Sequence, residues 1–221
     1  WSMLAGRRPI PVAARAAFAA VAAVFFAAGM IYPIFAPLSR GVHEASATDP
    51  LTLDGRPTMV RAAPGEYEVI ECFADFAGPP SDAVLVEAPC NCGYAPQIGR
   101  VSGLTGVPTV LGWANHEGQW RGATYPDVTE ARYEDGRFRD RLTDVRALYT
   151  TREWDEAWAT LDRYGIDYVV VGAAERQMIS ELAGGDADLR QDYEQGLAKF
   201  DQVLSPVCQN EAMAIYRVKP N

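Results

Sequence analysis

The feature that most limits this chain is a run without a single charge, AAFAAVAAVFFAAGMIYPIFAPL, at residues 16–38. At about 1.5 Å per residue, a helix of that length crosses a hydrocarbon core roughly 30 Å thick. A signal peptide has a shorter apolar stretch and a small-residue cleavage site. YPIFAPLSR is a poor one, and AAG at 27–29 keeps that reading as the alternative. The run is expected to be a transmembrane helix, with Tyr32 at an interface and Pro33 and Pro37 kinking or ending it. Arg7, Arg8 and Arg15 precede it, whereas only Arg40 follows closely. The positive-inside bias then puts the N-terminus in the cytoplasm, and everything beyond Arg40 is expected to be extracytoplasmic, held at the cell membrane.

In a chain of 221 residues with 48% hydrophobic content, the part beyond the span has room for one sizeable folded domain. A net charge of −9 offers no basic stripe to neutralise phosphates, so nucleic acid is excluded as a partner. Four cysteines, Cys72, Cys90, Cys92 and Cys208, would stand in an oxidising space, which permits disulfides. Cys90 and Cys92 lie too close for an easy mutual bridge, so the expected link joins Cys72 or Cys208 to one of them. A single Cys-x-Cys without a second ligand pair makes zinc a weak rival. The first residue is Trp, and the arginines before the span resemble the remnant of a preceding loop. The chain therefore reads as the end of a longer protein, holding its last span.

The organisation expected from the sequence is a last transmembrane helix with its cytoplasmic flank over 1–40, a linker over 41–64 rich in Pro, Gly, Asp and Thr, and an extracytoplasmic α/β domain over 65–221. EYEVIECFADF (66–76) spaces Val69, Ile70, Phe73 and Phe76 as a helix does. AVLVEA (83–88) is a short buried strand, and 109–111 is a second candidate. In EWDEAWATLDRYG, Trp154, Ala157, Trp158 and Leu161 form an apolar helical face, and Gly165 supplies the stop. IDYVVVG follows at once as a strand. GLAKFDQVL (196–204) and MAIYRV (213–218) repeat the helix-then-strand order, with VCQNEA forming a hairpin into the last strand. This is the grammar of a three-layer-like α/β domain, sheet inside and helices outside.

Familiar catalytic signatures fail one by one. VVVGAAER ends a strand in glycine but lacks the G-x-G-x-x-G spacing of a dinucleotide site. HEGQW is half of a zinc-protease motif with Trp120 where the second histidine belongs. No serine sits in a nucleophile elbow, and His43 and His116 are the only histidines. What remains is GVPTVLGWANHEGQWRG (106–122). Trp113 and Trp120 offer flat apolar faces there, and His116, Glu117, Gln119 and Arg121 offer donors and acceptors that can orient a hydroxylated or phosphorylated ligand. The rival reading is a loop whose aromatics plug a core and whose charges face water.

LTLDGRPTM, GRVSGLTGVPTVLGWANHEGQWRG, DVRALYTT, YGIDYVVVGAAER and AKFDQVLSPV resemble, in order, the C-terminal part of the YYY-type uncharacterised polytopic membrane protein family of Chloroflexi-like bacteria and archaea. The likeness runs from about Leu51 to Val218. That family is similar to GT-C type membrane glycosyltransferases, which take a sugar from a polyprenyl-phosphate donor. The resemblance implies the extracytoplasmic lobe of a membrane glycosyltransferase. Its partners would be membrane lipid, a polyprenyl-phosphate sugar and a glycan or protein acceptor. Trp113, His116, Glu117, Gln119, Trp120 and Arg121 would contribute substrate contacts, with Arg121 clamping a phosphate or carboxylate and His116 and Glu117 meeting hydroxyls. The catalytic acidic loop of such enzymes, and any divalent metal, would lie in a part not included in this chain. No catalytic residue and no cofactor is therefore expected here. The CNC at 90–92 departs from the family pattern. The other implied role is a non-catalytic envelope module that binds a glycan or protein partner.

The topology has a direct check. In intact cells, an impermeant thiol reagent is expected to label an Ala45→Cys variant and to spare Ala5→Cys; the opposite pattern would invert the orientation.

Overall fold

The computed structural model describes residues 11–39, 41, 54–78, 82–121, 130–132 and 138–218, the side chains of 121, 130–132 and 138–140 excepted. Arg7, Arg8, Arg40 and residues 42–53 of the 41–64 stretch therefore lie outside the described residues. Contacts divide the chain into two compact units, residues 1–53 and 54–221.

The first unit contains α1 (Val12–Ser39), a 28-residue helix long and apolar enough to cross a membrane, with no residue buried. Pro33 and Pro37 lie inside it rather than ending it. Each proline removes one bond, to the carbonyls of Gly29 and Pro33, and the rest of the ladder carries the helix on.

The second unit is a mixed α/β domain. It begins with α2 (Arg56–Ala62) and α3 (Pro64–Ala77), so the end of the stretch expected to be linker is helical. Proline stands in the first turn of both helices, where its missing N–H has no partner to lose. Then follow β1 (Leu85–Val86), α4 (Arg100–Thr105), α5 (Ala114–Arg121), a hairpin of β2 (Glu130–Arg132) and β3 (Phe138–Asp140), α6 (Arg141–Thr150), α7 (Trp154–Arg163), β4 (Tyr168–Val171), α8 (Ala173–Ala183), α9 (Ala187–Val203), β5 (Ser205–Gln209) and β6 (Ala214–Arg217). The main sheet has the order β1-β4-β6-β5, with β1 and β4 parallel and the other neighbours antiparallel.

Both faces of the sheet are covered, as the unbroken burial of YVVV requires. Leu85, Tyr168, Val170 and Ile215 meet Val69, Ile70 and Phe73 of α3 and Val101 of α4. Val86, Val169, Val171 and Tyr216 meet Val145, Leu148 and Tyr149 of α6, Leu161 of α7, Met178 of α8 and Phe200 of α9. The Tyr149 hydroxyl lies 3.0 Å from the Val86 carbonyl and 2.9 Å from that of Val170, so one proton is shared between the two parallel strands. Residues 109–113 run along the outer edge of β1 through two isolated bridges, Leu85 to Thr109 and Cys90 to Trp113, and do not form the strand expected there. Pro89 and Pro108 have no N–H to give, which cuts the ladder short.

The cysteines pair differently from expectation. Cys72 of α3 bonds Cys208 of β5, with Cα atoms 6.0 Å apart, and Cys90 bonds Cys92 across 5.2 Å. α3 lies directly over β5, which brings the distant pair into range. The chain turns at Asn91 tightly enough to bring the near pair within ordinary disulfide reach. The link between Cys72 and Cys208 spans 136 residues, a closure worth about 5 kcal/mol on chain-entropy grounds.

The apolar face of α7 also differs in one residue. Ala157 and Leu161 are fully buried and Trp154 packs partly against the core, but Trp158 is 40% exposed and leans on the Trp154 ring at 6.3 Å. Thr160 is buried on the inner side. Ten residues of helix place i+4 beside i, so the first indole shields only the inner edge of the second. Leu161→Ala is expected to cost about 2–5 kcal/mol, and Trp158→Ala clearly less. Urea unfolding of the two variants in detergent gives the order, and a larger loss at 158 would overturn this packing.

Candidate functional site

The parallel strands β1 and β4 end side by side, the place where open α/β sheets usually receive a ligand. Here that place is filled from within. Glu87 follows β1, Glu175 lies in the first turn of α8, Glu66 comes from α3, and all three turn toward Arg100 of α4. Arg100 donates from Nε to Glu66 Oε2 at 2.9 Å and from Nη2 to Glu66 Oε1 at 3.1 Å and Glu175 Oε2 at 3.0 Å. Its Nη1 is 3.7 Å from Glu87 Oε2. The remaining carboxylate lone pairs accept backbone N–H groups. Glu175 takes those of Ala88 and Gly172, both at 2.7 Å, Glu66 takes that of Ala173 at 2.7 Å, and Glu87 takes those of Val101 and Ser102.

The start of α8, a natural anion site, is thus occupied by the protein's own carboxylates. Gly172 is required for this. A Cβ there would lie 2.5 Å from Glu66 Oε1 and 2.6 Å from Arg100 Nη2. One guanidinium cannot balance three carboxylates in a dry site. Burial pushes Glu87 up to about 7, against the pull of Arg100 and two backbone donors. Burial also raises Glu175, but the charge and hydrogen bonds of Arg100 outweigh it and the net shift is downward. Burial alone would lower Arg100, and its carboxylate partners, Glu175 first, raise it overall.

Of the six residues proposed from sequence, five lie on a helix rather than a loop, and Trp113 immediately precedes it. ANHEGQWR forms α5, which begins where the Ala114 N–H bonds the Cys90 carbonyl at 2.9 Å. Trp113, half-buried, donates its indole N–H to the Ala95 carbonyl at 3.0 Å and packs on the main core. Tyr94, Trp113, His116 and Trp120 then form an aromatic series with ring centroids 5.2, 6.1 and 5.9 Å apart. Spacing by three and four residues stacks the last three on one side of the helix. The Trp120 indole N–H donates to His116 Nε2 at 2.9 Å. Trp120 is 78% exposed and Tyr94 68%. Gln119 is exposed and Glu117 half-buried. Arg121 closes the helix, and its side chain lies outside the described residues.

A cleft of about 450 Å³ lies on the other side of the 89–98 loop. Cys90, Cys92, Gln97, Arg146, Gln177 and Met178 are among the residues that line it. None of the six residues proposed from sequence lines that cleft. Trp113 is linked to it through the Ala95 carbonyl and through its backbone bridge to Cys90, both on the cleft wall. Among the described residues, no three His, Cys, Asp or Glu side chains converge as metal ligands would. The Arg100 group escaped sequence reasoning because its members are 109 residues apart at the extremes. The one local signal was Glu87, a carboxylate inside the otherwise apolar run AVLVEA.

No protein-family model matches the chain, and no curated protein matches it in sequence. Among solved structures, it is similar to the C-terminal globular domain of an oligosaccharyltransferase from Archaeoglobus fulgidus, at 12% identity and a TM-score of 0.40, over 69% of this chain and 95% of that one.

Glu87 makes the stability of the domain depend on pH. Its folded pKa lies above the ordinary carboxyl value, so its contribution is complete below about 4.5 and is lost as pH rises through about 7. Glu87→Gln leaves one of two buried N–H groups facing an amide nitrogen. It is expected to cost about 1–3 kcal/mol at acid pH, and less at pH 8, where the native residue bears a buried charge. Denaturant unfolding at pH 5 and pH 8 measures the difference, and a penalty that grows with pH would contradict the assignment.

Proposed function

We propose that this chain is a membrane-anchored, extracytoplasmic lobe that contributes substrate contacts to glycosyl transfer from a polyprenyl-phosphate sugar to a glycan or protein acceptor. The observation that carries the reading is the aromatic series of α5, which ends in an indole face left open to solvent. Aromatic faces suit the C–H side of a sugar ring, and the planar polar groups beside them suit its hydroxyls. Trp120 and Trp113 supply the platform, His116, Glu117 and Gln119 the hydroxyl partners, and Arg121 the phosphate clamp, a bidentate role for which lysine is a poor substitute. Two disulfides in one domain favour an oxidising compartment, and α1 supplies a membrane anchor. Oxidising conditions and an N-terminal anchor together suit the outer face of a membrane, where lipid-linked sugars are consumed.

The test uses the full chain in detergent micelles with a polyprenyl-phosphate hexose, followed by tryptophan fluorescence. Trp120→Ala is expected to weaken binding about tenfold, which is 1.4 kcal/mol. Its unfolding midpoint should stay put, because the side chain is mostly in water. Undiminished binding in that variant would sink the reading, and binding of the free hexose without the lipid phosphate would point to the envelope-module role.

A further inference from the structure

The two disulfides of this domain have different settings. Cys72 to Cys208 ties a helix to a strand and closes most of the chain into one loop, with Cys208 in the core. Cys90 to Cys92 closes a ring of three residues, which removes little chain entropy and joins no two elements. Both of its cysteines are half-buried, and both line the cleft beside α8. A staple has no reason to sit there. We propose that the Cys90–Cys92 disulfide is a thiol–disulfide exchange site for cysteine-containing polypeptides seated in that cleft. The proposal does not depend on the glycosyl-transfer reading, which rests on the α5 aromatic series.

Three features of the surroundings suit the chemistry. The segment is held in place through both of its ends, with the Cys90 N–H donating to the Gly112 carbonyl at 3.0 Å and the Cys92 carbonyl accepting from the His116 N–H at 3.3 Å. Ring opening can therefore proceed without loss of the fold. The same bonds set the cysteines against the N-terminus of α5, whose positive dipole end favours a thiolate. Across the cleft stands Arg146 of α6, whose Nε is buried and without a hydrogen-bond partner among the described residues. Its guanidinium brings a positive charge to the cleft that both cysteines line. Gln97 offers its amide to an extended backbone, the Gln177 amide donates to the exposed Glu181 carboxylate at 2.8 Å on the same wall, and Ile98, Met178 and Leu182 offer apolar contact.

In the reaction, a substrate thiolate attacks one sulfur of the bridge. The S–S bond breaks, a mixed disulfide forms, and the other cysteine leaves as a thiolate. A second substrate thiolate then attacks the mixed disulfide, releasing an oxidised peptide and leaving Cys90 and Cys92 as a dithiol. Two electrons have passed from peptide to protein. A low-molecular-weight dialkyl disulfide restores the bridge by the reverse exchange and is reduced to two thiols.

The test follows single-turnover oxidation of a reduced peptide carrying a Cys-Gly-Gly-Cys pair and acidic flanks by the full chain in detergent. The reference is the free pentapeptide Pro-Cys-Asn-Cys-Gly closed by the same bridge. Alkylation and mass spectrometry read the state of each cysteine. The protein is expected to react at least tenfold faster than the pentapeptide, converting Cys90 and Cys92 to thiols while Cys72–Cys208 stays oxidised. Arg146→Gln should slow the reaction at least threefold with an unchanged melting temperature. A rate no greater than that of the free pentapeptide, loss of the Cys72–Cys208 bond instead, or an Arg146→Gln rate equal to that of the native chain would each overturn the proposal.

Discussion

Arg100 is the charge on which the domain is assembled. Its guanidinium receives carboxylates from α3, from the end of β1 and from the start of α8, so one buried cation fixes elements drawn from three parts of the chain. Removing one partner from a buried ion pair typically costs about 3–5 kcal/mol, because the other charge is left in a dry site. Here three carboxylates share one cation, and Glu87 meets the imbalance by holding its proton up to near neutral pH. Five backbone N–H groups complete the cluster, which makes it an anchor for the main chain as well as for side chains.

That cluster also decides where function can lie. The crevice beyond parallel strand ends is the ordinary ligand position of an α/β sheet, and Glu66, Glu175 and Arg100 fill it. Two surfaces next to the 89–98 loop stay open instead. One is the aromatic side of α5. The other is the cleft bounded by α6 and α8. The loop is tied to α5 by the backbone bonds at Cys90 and Cys92 and by the Trp113 indole at Ala95. Lys199, by contrast, is a buried cation in a structural setting. Its Nζ donates to the Leu148 and Gly196 carbonyls, closing the end of α6, and burial lowers its pKa to about 7.

Local periodicity made much of the architecture legible. The spacing of Val69, Ile70 and Phe73 gave α3, YVVV gave β4, and the hairpin into β6 followed from two short runs around a polar turn. It failed where a single surface decides. Phe76 and Trp158 fall on the apolar side of their helices by spacing, yet are 48% and 40% exposed. Phe76 meets only the edge of the Tyr168 ring at 6.3 Å, and Trp158 leans only on Trp154. The glycine and polar residues of α5 give it almost no amphipathic signal in the sequence. Its start is set by bonds to the 90–92 segment, which lies more than twenty residues earlier.

The sequence alone determined the long apolar helix, the alternation of helix and strand, and the concentration of aromatic and polar groups at 113–121. Each is a property of neighbours within one or two turns, and hydrophobic burial acts on that scale without knowledge of the rest of the chain. Which cysteines meet, which carboxylates share Arg100 and which indole stays in water were decided only by the tertiary structure. A disulfide needs Cα atoms about 6 Å apart, and a charge-assisted hydrogen bond needs about 3 Å. Residues such as Glu66 and Glu175 reach those distances only after the sheet has ordered the helices around it.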